Sequence, residues 1–313
     1  MALPQYNTET LINNIKRRCA VPTSQLTYTP QGFTDIANDE LQTEVVPLIM
    51  STREEYFVEH VDVLSPADGV IPFPNNAVGA KLRSVCYKQN TSPLVLSNLP
   101  RIDLDVVAGV GFSSWTSFAG FYIEGNDICL YPNTSVPPNT TIRLYYYKRV
   151  LNLAAPSQYG QVTAVDPDLN TVVLDFVPTV WAVGQTLNAV SSVQGFAITN
   201  ASAEITALSA PTIELASVEG IEIGDYVSLE GYSAVPQVPI EAHAYLAQLS
   251  AVKALEGLGD RPGMEAAQLK ADKEKQSLLV MISQRVDGSV KKIMDPSGGL
   301  RANSGLWRGY GRY

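Results

Sequence analysis

Two histidines, His60 and His243, are all that this chain of 313 residues offers for imidazole chemistry. His60 falls in a run that alternates apolar and charged residues, and His243 in an amphipathic helical one. In such settings an imidazole is ordinarily a packing residue. No zinc spacing accompanies them, because Cys19, Cys86 and Cys129 are far apart and form no C-x-x-C pair. Asp166-Pro167-Asp168-Leu169-Asn170 places oxygen ligands at alternate positions, as a calcium loop does. Thr171 stands where that loop needs Gly and Val177 where it needs a bidentate Glu, so a β-turn is the better reading. Gly109-Val110-Gly111 lacks the third glycine of a dinucleotide motif, which would be at Ser114. Asp103 and Asp105 would share one strand face as paired catalytic carboxylates can, yet nothing beside them would raise a pKa, and a solvated edge explains them. Tyr145-Tyr146-Tyr147-Lys148-Arg149 could stack bases or sugars. Alternation in a half-exposed strand accounts for the same residues through the β propensity of Tyr. The chemistry sought is thus mostly missing, and the expectation is a protein that is not an enzyme and uses no cofactor or metal.

The end of the chain is different. Leu306, Trp307, Arg308, Tyr310, Arg312 and Tyr313 combine the residue types enriched at interface hot spots, where a merely disordered segment would favour Ser, Glu and Lys. Lys291, Lys292, Arg301, Arg308 and Arg312 face a single acid, Asp295, from residue 291 onward, although the whole chain carries a net charge of −9. An acidic body with a basic, aromatic extension predicts a tail over 291–313 that docks on a partner. With 17% charged residues and this net charge, general nucleic-acid affinity is not expected.

The elements that would carry such a tail alternate in kind along the chain. Thr8 as N-cap, then Leu11, Ile12 and Ile15, predict a helix to about Cys19, stopped by Pro22. Thr29-Pro30 starts a second, with Phe33, Ile36, Ala37, Leu41, Val45 and Leu48 on one face and Pro47 as a kink or early stop. From about residue 55 the period changes to two, with Phe57, Val61 and Val63 interleaved with charges. Strands are expected at 81–88, 120–124, 127–131 and 141–149. Gly125-Asn126 forms a hairpin turn, both residues supplying positive φ. A weak repeat follows: Val162–Val165, Thr171–Leu174 and Val183–Gln185 are echoed by Ile205–Leu208, Thr212–Leu215 and Ile223–Asp225, so 151–235 reads as a doubled β module. Helical periodicity resumes at Ile240, Leu246, Leu249, Val252 and Leu255. Gly257 and Gly259 end that helix, and Asp260 and Pro262 begin another, running to about Val286.

The expected fold class is therefore α+β: a discontinuous helical module, a bundle or αα-hairpin, from 1–54 and 236–290; between its halves two β-rich insertions, sandwich-like or small-barrel-like, at 55–150 and, with the weak two-fold repeat, at 151–235; and the extended tail at 291–313. The opening residues Met1 to Asn7 show no secretion signal, and no run approaches ~18 apolar residues, so neither export nor membrane insertion is expected. An odd number of scattered cysteines fits synthesis in a reducing cytoplasm.

Several segments, taken in order, resemble the head-to-tail adaptor or connector (neck ring) proteins of tailed double-stranded DNA bacteriophages. They are Ile15-Lys16-Arg17-Arg18 with Pro22-Thr23-Ser24-Gln25, the run Phe33 to Leu41, Val46 to Tyr56, and the hairpin Gly120 to Asn126. Pro236-Gln237-Val238-Pro239-Ile240-Glu241 and Ser283 to Gly288 with Lys291-Lys292 extend the likeness. The resemblance implies a virion structural protein made in the host cytoplasm and placed in the neck. It implies a homo-oligomeric, twelve-fold ring under the portal protein, in contact with a tail or second neck protein. The genome would pass through its channel without specific binding, and the C-terminal extension, Leu306 to Tyr313 above all, would dock on the portal. The β content exceeds that expected of short-tailed phage adaptors. A tail-tube, stopper or collar component is the rival within the structural class. A carbohydrate- or receptor-binding tail protein, working through the β modules, is the rival outside it.

Overall fold

The computed structural model describes residues 6–20, 28–89, 95–103, 120–131, 140–191 and 198–283. It is a mixed α+β structure with helices near both ends of the described chain and strands between them. Helix α1 (Thr8–Arg18) is capped by Asn7, whose side chain accepts from the Thr10 amide at 2.9 Å. The cap lies one residue earlier than expected. Thr8 is instead spent on tertiary structure, donating its hydroxyl and its amide to the Ala234 carbonyl. Helix α2 (Pro30–Glu40) starts as the sequence predicts, with Thr29 accepting from the Gly32 amide and Pro30 in the first turn.

Pro47 acts on the helix without ending it. A π-helical segment, Leu41–Val45, precedes α3 (Val46–Thr52). The wider turn absorbs the ring and the missing amide where a regular helix would need a bond to the previous turn. At the other end, α4 (Ile240–Leu258) closes on Gly259 at φ 76°, the left-handed cap. Gly257, expected to help end that helix, lies inside it, and the Tyr28 hydroxyl stands where a Cβ at this position would be. Helix α5 (Arg261–Ile282) follows at once, with Asp260 accepting from the Gly263 amide.

These helices bury their apolar faces in one cluster. Ile15 of α1, Phe33 and Ala37 of α2, Leu246 and Ala251 of α4, and Ala271 and Leu278 of α5 are all nearly inaccessible. Polar pairs then fasten the layer to the chain that links the β regions. Asn38 both accepts from the Leu153 amide (2.6 Å) and donates to the Leu153 carbonyl (3.4 Å), while Gln42 donates to the Val150 carbonyl.

The first β region has two sheets. One, in the order β1 (Val58–Leu64), β7 (Thr141–Lys148), β3 (Ala77–Gln89), β4 (Val95–Leu99), is antiparallel throughout. The other joins β2 (Val70–Pro72), β6 (Asp127–Tyr131) and β5 (Gly120–Glu124). They share a core that includes Val85, Ile142 and Leu144 from the first and Ile71, Phe121 and Ile128 from the second. The β5–β6 hairpin turns on Gly125 at φ 60°. Asn126 is not at positive φ, a departure from the expected pair that identifies a turn with glycine at its first central position alone.

The second β region is a closed six-stranded barrel. Its strands are β9 (Tyr159–Asp166), β10 (Thr171–Leu174), β11 (Thr186–Val190), β12 (Ile198–Ser209), β13 (Thr212–Leu215) and β14 (Tyr226–Leu229), in the order β10-β13-β12-β11-β14-β9. Mapping β9, β10 and β11 onto β12, β13 and β14 reproduces every pairing. The hairpins β9–β10 and β12–β13 correspond, β9–β14 corresponds to β11–β12, and β10–β13 and β11–β14 each map onto themselves. The two sequence echoes are thus the two halves of one barrel, each giving its third strand to the other half. A short parallel pair, β8 (Asn152–Leu153) with β15 (Tyr232–Ser233), ties the barrel's entrance and exit together.

Candidate functional site

Helix α2 buries the stripe Phe33, Ala37 and Leu41, and 3.6-residue periodicity puts Glu40 beside it. That acid is only 6% exposed. It lines a groove of about 650 Å³ between the α2–π segment on one side and α4 and α5 on the other. Tyr245 of α4, 3% exposed, lines the same groove. Among the described residues neither the Glu40 carboxyl nor the Tyr245 hydroxyl has a hydrogen-bond partner, and both residues line the groove. Burial raises the Glu40 carboxyl above the ordinary carboxylate value, against the opposing pull of Lys253 and with Glu44, Asp39 and Glu256 reinforcing it. Burial likewise pushes the Tyr245 hydroxyl up to about 12, with help from Glu44, Asp272 and Glu40.

The rim is acidic. Glu44, Glu256, Glu265 and Asp272 stand around the groove against Lys253 and Lys275. Lys253 is already engaged with Glu256 at 3.1 Å, and Asp272 accepts from Gln268 at 3.3 Å. Leu249, Val252, Met264 and Leu269 supply apolar walls. The walls are fixed from behind by a polar clamp through three helices: Arg18 of α1 donates to Gln248 of α4 (2.5 Å) and to Glu274 of α5 (2.7 Å). Gln248 in turn donates to the Ala267 carbonyl of α5 at 3.0 Å. Carboxylate, phenol and apolar walls make a receptor for a cationic side chain with a long stem. Among the described residues no imidazole, serine or threonine hydroxyl, or thiol lines it.

The histidines, cysteines and other residues with chemical potential by type are placed elsewhere. His60 is exposed on β1 with its ring 5.7 Å from that of Tyr145. His243 is half-buried in α4, 3.2 Å from the Pro236 carbonyl and edge-on to Tyr6, and desolvation lowers its pKa. The Asp166 side chain accepts from the Asp168 and Leu169 amides and closes the β9–β10 turn, with Asn170 at φ 51°. Tyr146 and Tyr147 are buried and donate to Glu59 and Glu54, which leaves no row of free aromatic faces. On the outer face of the same sheet, Arg143 and Lys88 converge on Asp62 at 2.6 Å each. Hydrogen bonding from Arg143 first, then from Lys88, holds the Asp62 carboxyl well below the usual carboxylate range. Cys19, Cys86 and Cys129 are free and buried, and burial pushes the Cys19 thiol up to about 11, so it is a poor nucleophile.

Asp103 is described, whereas Asp105, Gly109 and Gly111 lie outside the described residues. So do all six docking residues expected in the tail, Leu306, Trp307, Arg308, Tyr310, Arg312 and Tyr313. Among the described residues there is no group of three or more His, Cys, Asp or Glu that could hold a metal, and no helix is long and apolar enough to cross a membrane. Sequence reasoning missed Glu40 and Tyr245. The available signal was an acid beside the apolar stripe Phe33, Ala37, Leu41, a position that a solvated face would not occupy. No protein-family model and no curated protein sequence matches the chain.

Proposed function

We propose that the protein is a structural component of a bacteriophage virion, a head-to-tail adaptor that forms a ring beneath the portal, and not an enzyme. The observation that carries the reading is the shared core of helices from distant parts of the chain, α1 to α3 with α4 and α5. That shared core supports a helical module drawn from both ends, with the two β regions between residues 58 and 233 as its insertions. A bundle of this kind offers several helix faces to neighbouring copies, while the inserted sheets and barrel reach other parts of the particle. The order of segments noted in the sequence supports a neck position, and the basic, aromatic tail supports a portal contact. An acidic body suits a channel that must not retain phosphate.

In this reading the tail docks on the portal through burial of Trp307 and the tyrosines, which offsets the entropic cost of association. Deleting 296–313 is expected to leave a folded protein that no longer joins the portal; normal attachment of the truncated chain would sink the docking claim. The decisive experiment is cryo-electron microscopy of intact particles with the neck density fitted to this chain. A twelve-fold ring directly under the portal supports the adaptor, and a ring further down supports a stopper, collar or tail-tube role.

A second reading, a tail protein that binds carbohydrate or a receptor, draws on the barrel surface. Phe176, just after barrel strand β10, and Tyr232, in the adjoining β15, are each more than two-fifths exposed, and aromatic faces of that kind suit sugar rings. Density at the tail tip or fibres, with glycan binding by the full chain lost in Phe176→Ala, would favour it.

A further inference from the structure

Groove walls are built from both sides of α4. With 3.6 residues per turn, Tyr245, Leu249 and Val252, which line the acidic groove, lie on the face opposite Ile240, Ala244 and Ala247. The latter three line a second groove, of about 300 Å³, between α4 and α1. Its α1 wall is formed by Asn14 and Arg17, in a last turn that carries Lys16, Arg17 and Arg18. Arg18 is consumed by Glu274 within the subunit. Arg17 is exposed, has no ion pair among the described residues, and donates only to Asn14 at 2.7 Å. One side of the helical layer therefore presents a free guanidinium on a ridge. The other presents a buried carboxylate and phenol without partners.

We propose that the acidic groove is a docking site for a second copy of this chain, which inserts the α1 ridge so that its Arg17 meets Glu40 and Tyr245. The interaction rests on the ring reading above and specifies the surface that reading leaves open. Because the two complementary surfaces lie on opposite faces of α4, the contact is head-to-tail and repeats from copy to copy, closing a ring if the rotation allows. A planar guanidinium satisfies a carboxylate and a phenolic oxygen together, which a lysine ammonium does less well. Apolar surface is available to be covered on both sides: Leu269 on the acidic side is 65% exposed and Ile240 on the basic side 42%. Excess carboxylates on the rim would guide a basic ridge toward the groove and repel a second acidic one.

The test uses the full-length chain in sedimentation velocity over a wide concentration range, together with thiol cross-linking. Asn14→Cys and Leu269→Cys placed in one chain should yield, with a short bismaleimide, a ladder of dimers and higher oligomers; the native cysteines are buried and should not react. Arg17→Glu and Glu40→Gln, each folded by circular dichroism, should weaken self-association about tenfold or more. Combining Arg17→Glu with Glu265→Arg should recover part of it. Self-association that is unaffected by Arg17→Glu and gives no ladder overturns the interface while leaving a ring through another face. A chain that stays monomeric at every concentration and gives no ladder also overturns it. The converse result, a ladder in solution but no ring in the particle's neck, would keep the interface and remove the adaptor reading.

Discussion

In the first half of the barrel the Gln185 side chain accepts from the Ala182 amide at 2.8 Å, and in the second the Asp225 side chain accepts from the Glu222 amide at 2.9 Å. The neighbouring bonds match as well. Gly184 donates to the Ile205 carbonyl and Gly224 to the Val162 carbonyl, Ile205 to Gln185 and Val162 to Asp225, Leu174 to Pro211 and Leu215 to Asn170. A neutral amide and a carboxylate thus do the same job in equivalent turns, because the turn needs an acceptor and is indifferent to its charge. The surfaces of these turns differ. Phe176, Val180 and Val183 are exposed in the first half, whereas the corresponding stretch of the second has Ser217, Gly220 and an exposed Ile223. What the halves share is the backbone frame, and what they do not share is what that frame shows to solvent.

The largest expected departure from this equivalence lies in the core. Trp181 and Ile221 are equivalent, each donating its amide three residues back, to Pro178 and Val218, and each buried. Trp181→Ala should lower stability by about 4 kcal/mol and Ile221→Ala by about 3 kcal/mol, read from urea denaturation. The Trp181 indole N–H has no partner among the described residues. Trp181→Phe should therefore lose volume only and cost less than either alanine; a loss equal to Trp181→Ala would show that the indole is bonded in solution.

A smaller and symmetrical effect is expected at the glycines. Gly184 and Gly224 sit at φ 87° and 97°, where a Cβ is strained whatever the free space. Gly184→Ala and Gly224→Ala should each cost about 1–2 kcal/mol. Losses that differ by more than about 1 kcal/mol would break the equivalence of the two turns. Smaller still is Phe176→Ser, which gives an exposed position the residue type of the other half and should change stability by less than about 0.5 kcal/mol. If it instead abolishes glycan or particle binding without altering the melting temperature, the difference between the halves is functional.

The barrel repeat was legible because its signals are local: alternating valines and isoleucines, then a glycine and a polar acceptor before each third strand. That Val190 pairs with Tyr226 and Leu187 with Ala203, so that the halves exchange strands, was not. Nothing local in β11 tells which half it will join. Thr29-Pro30 and the Gly125 turn were readable for the same local reason. The Asn7 cap was missed because Thr8 is an equally good cap by type, and only the Ala234 carbonyl, far along the chain, decides between them. Glu40 was missed because its significance depends on α4 and α5 closing over it from the other end of the sequence.

That acid also separates the helical layer from the barrel in how polar groups are treated. Asp225 is buried with an amide donating to it, whereas Glu40 is buried with no donor to it among the described residues. Because its folded-state pKa is raised by burial, Glu40 costs nothing below the ordinary value of 4.5, where the carboxyl is protonated folded or unfolded. As pH rises through the raised folded value the unfolded chain ionises more readily, and stability is lost. Glu40→Gln removes the ionisation and should raise the melting temperature at pH 7 while leaving it unchanged at about pH 4. The same substitution is expected to weaken self-association, so stability and assembly should move in opposite directions. A lower melting temperature at pH 7 would mean that the carboxylate is already satisfied within the subunit, and Glu40 would then resemble Asp225 after all.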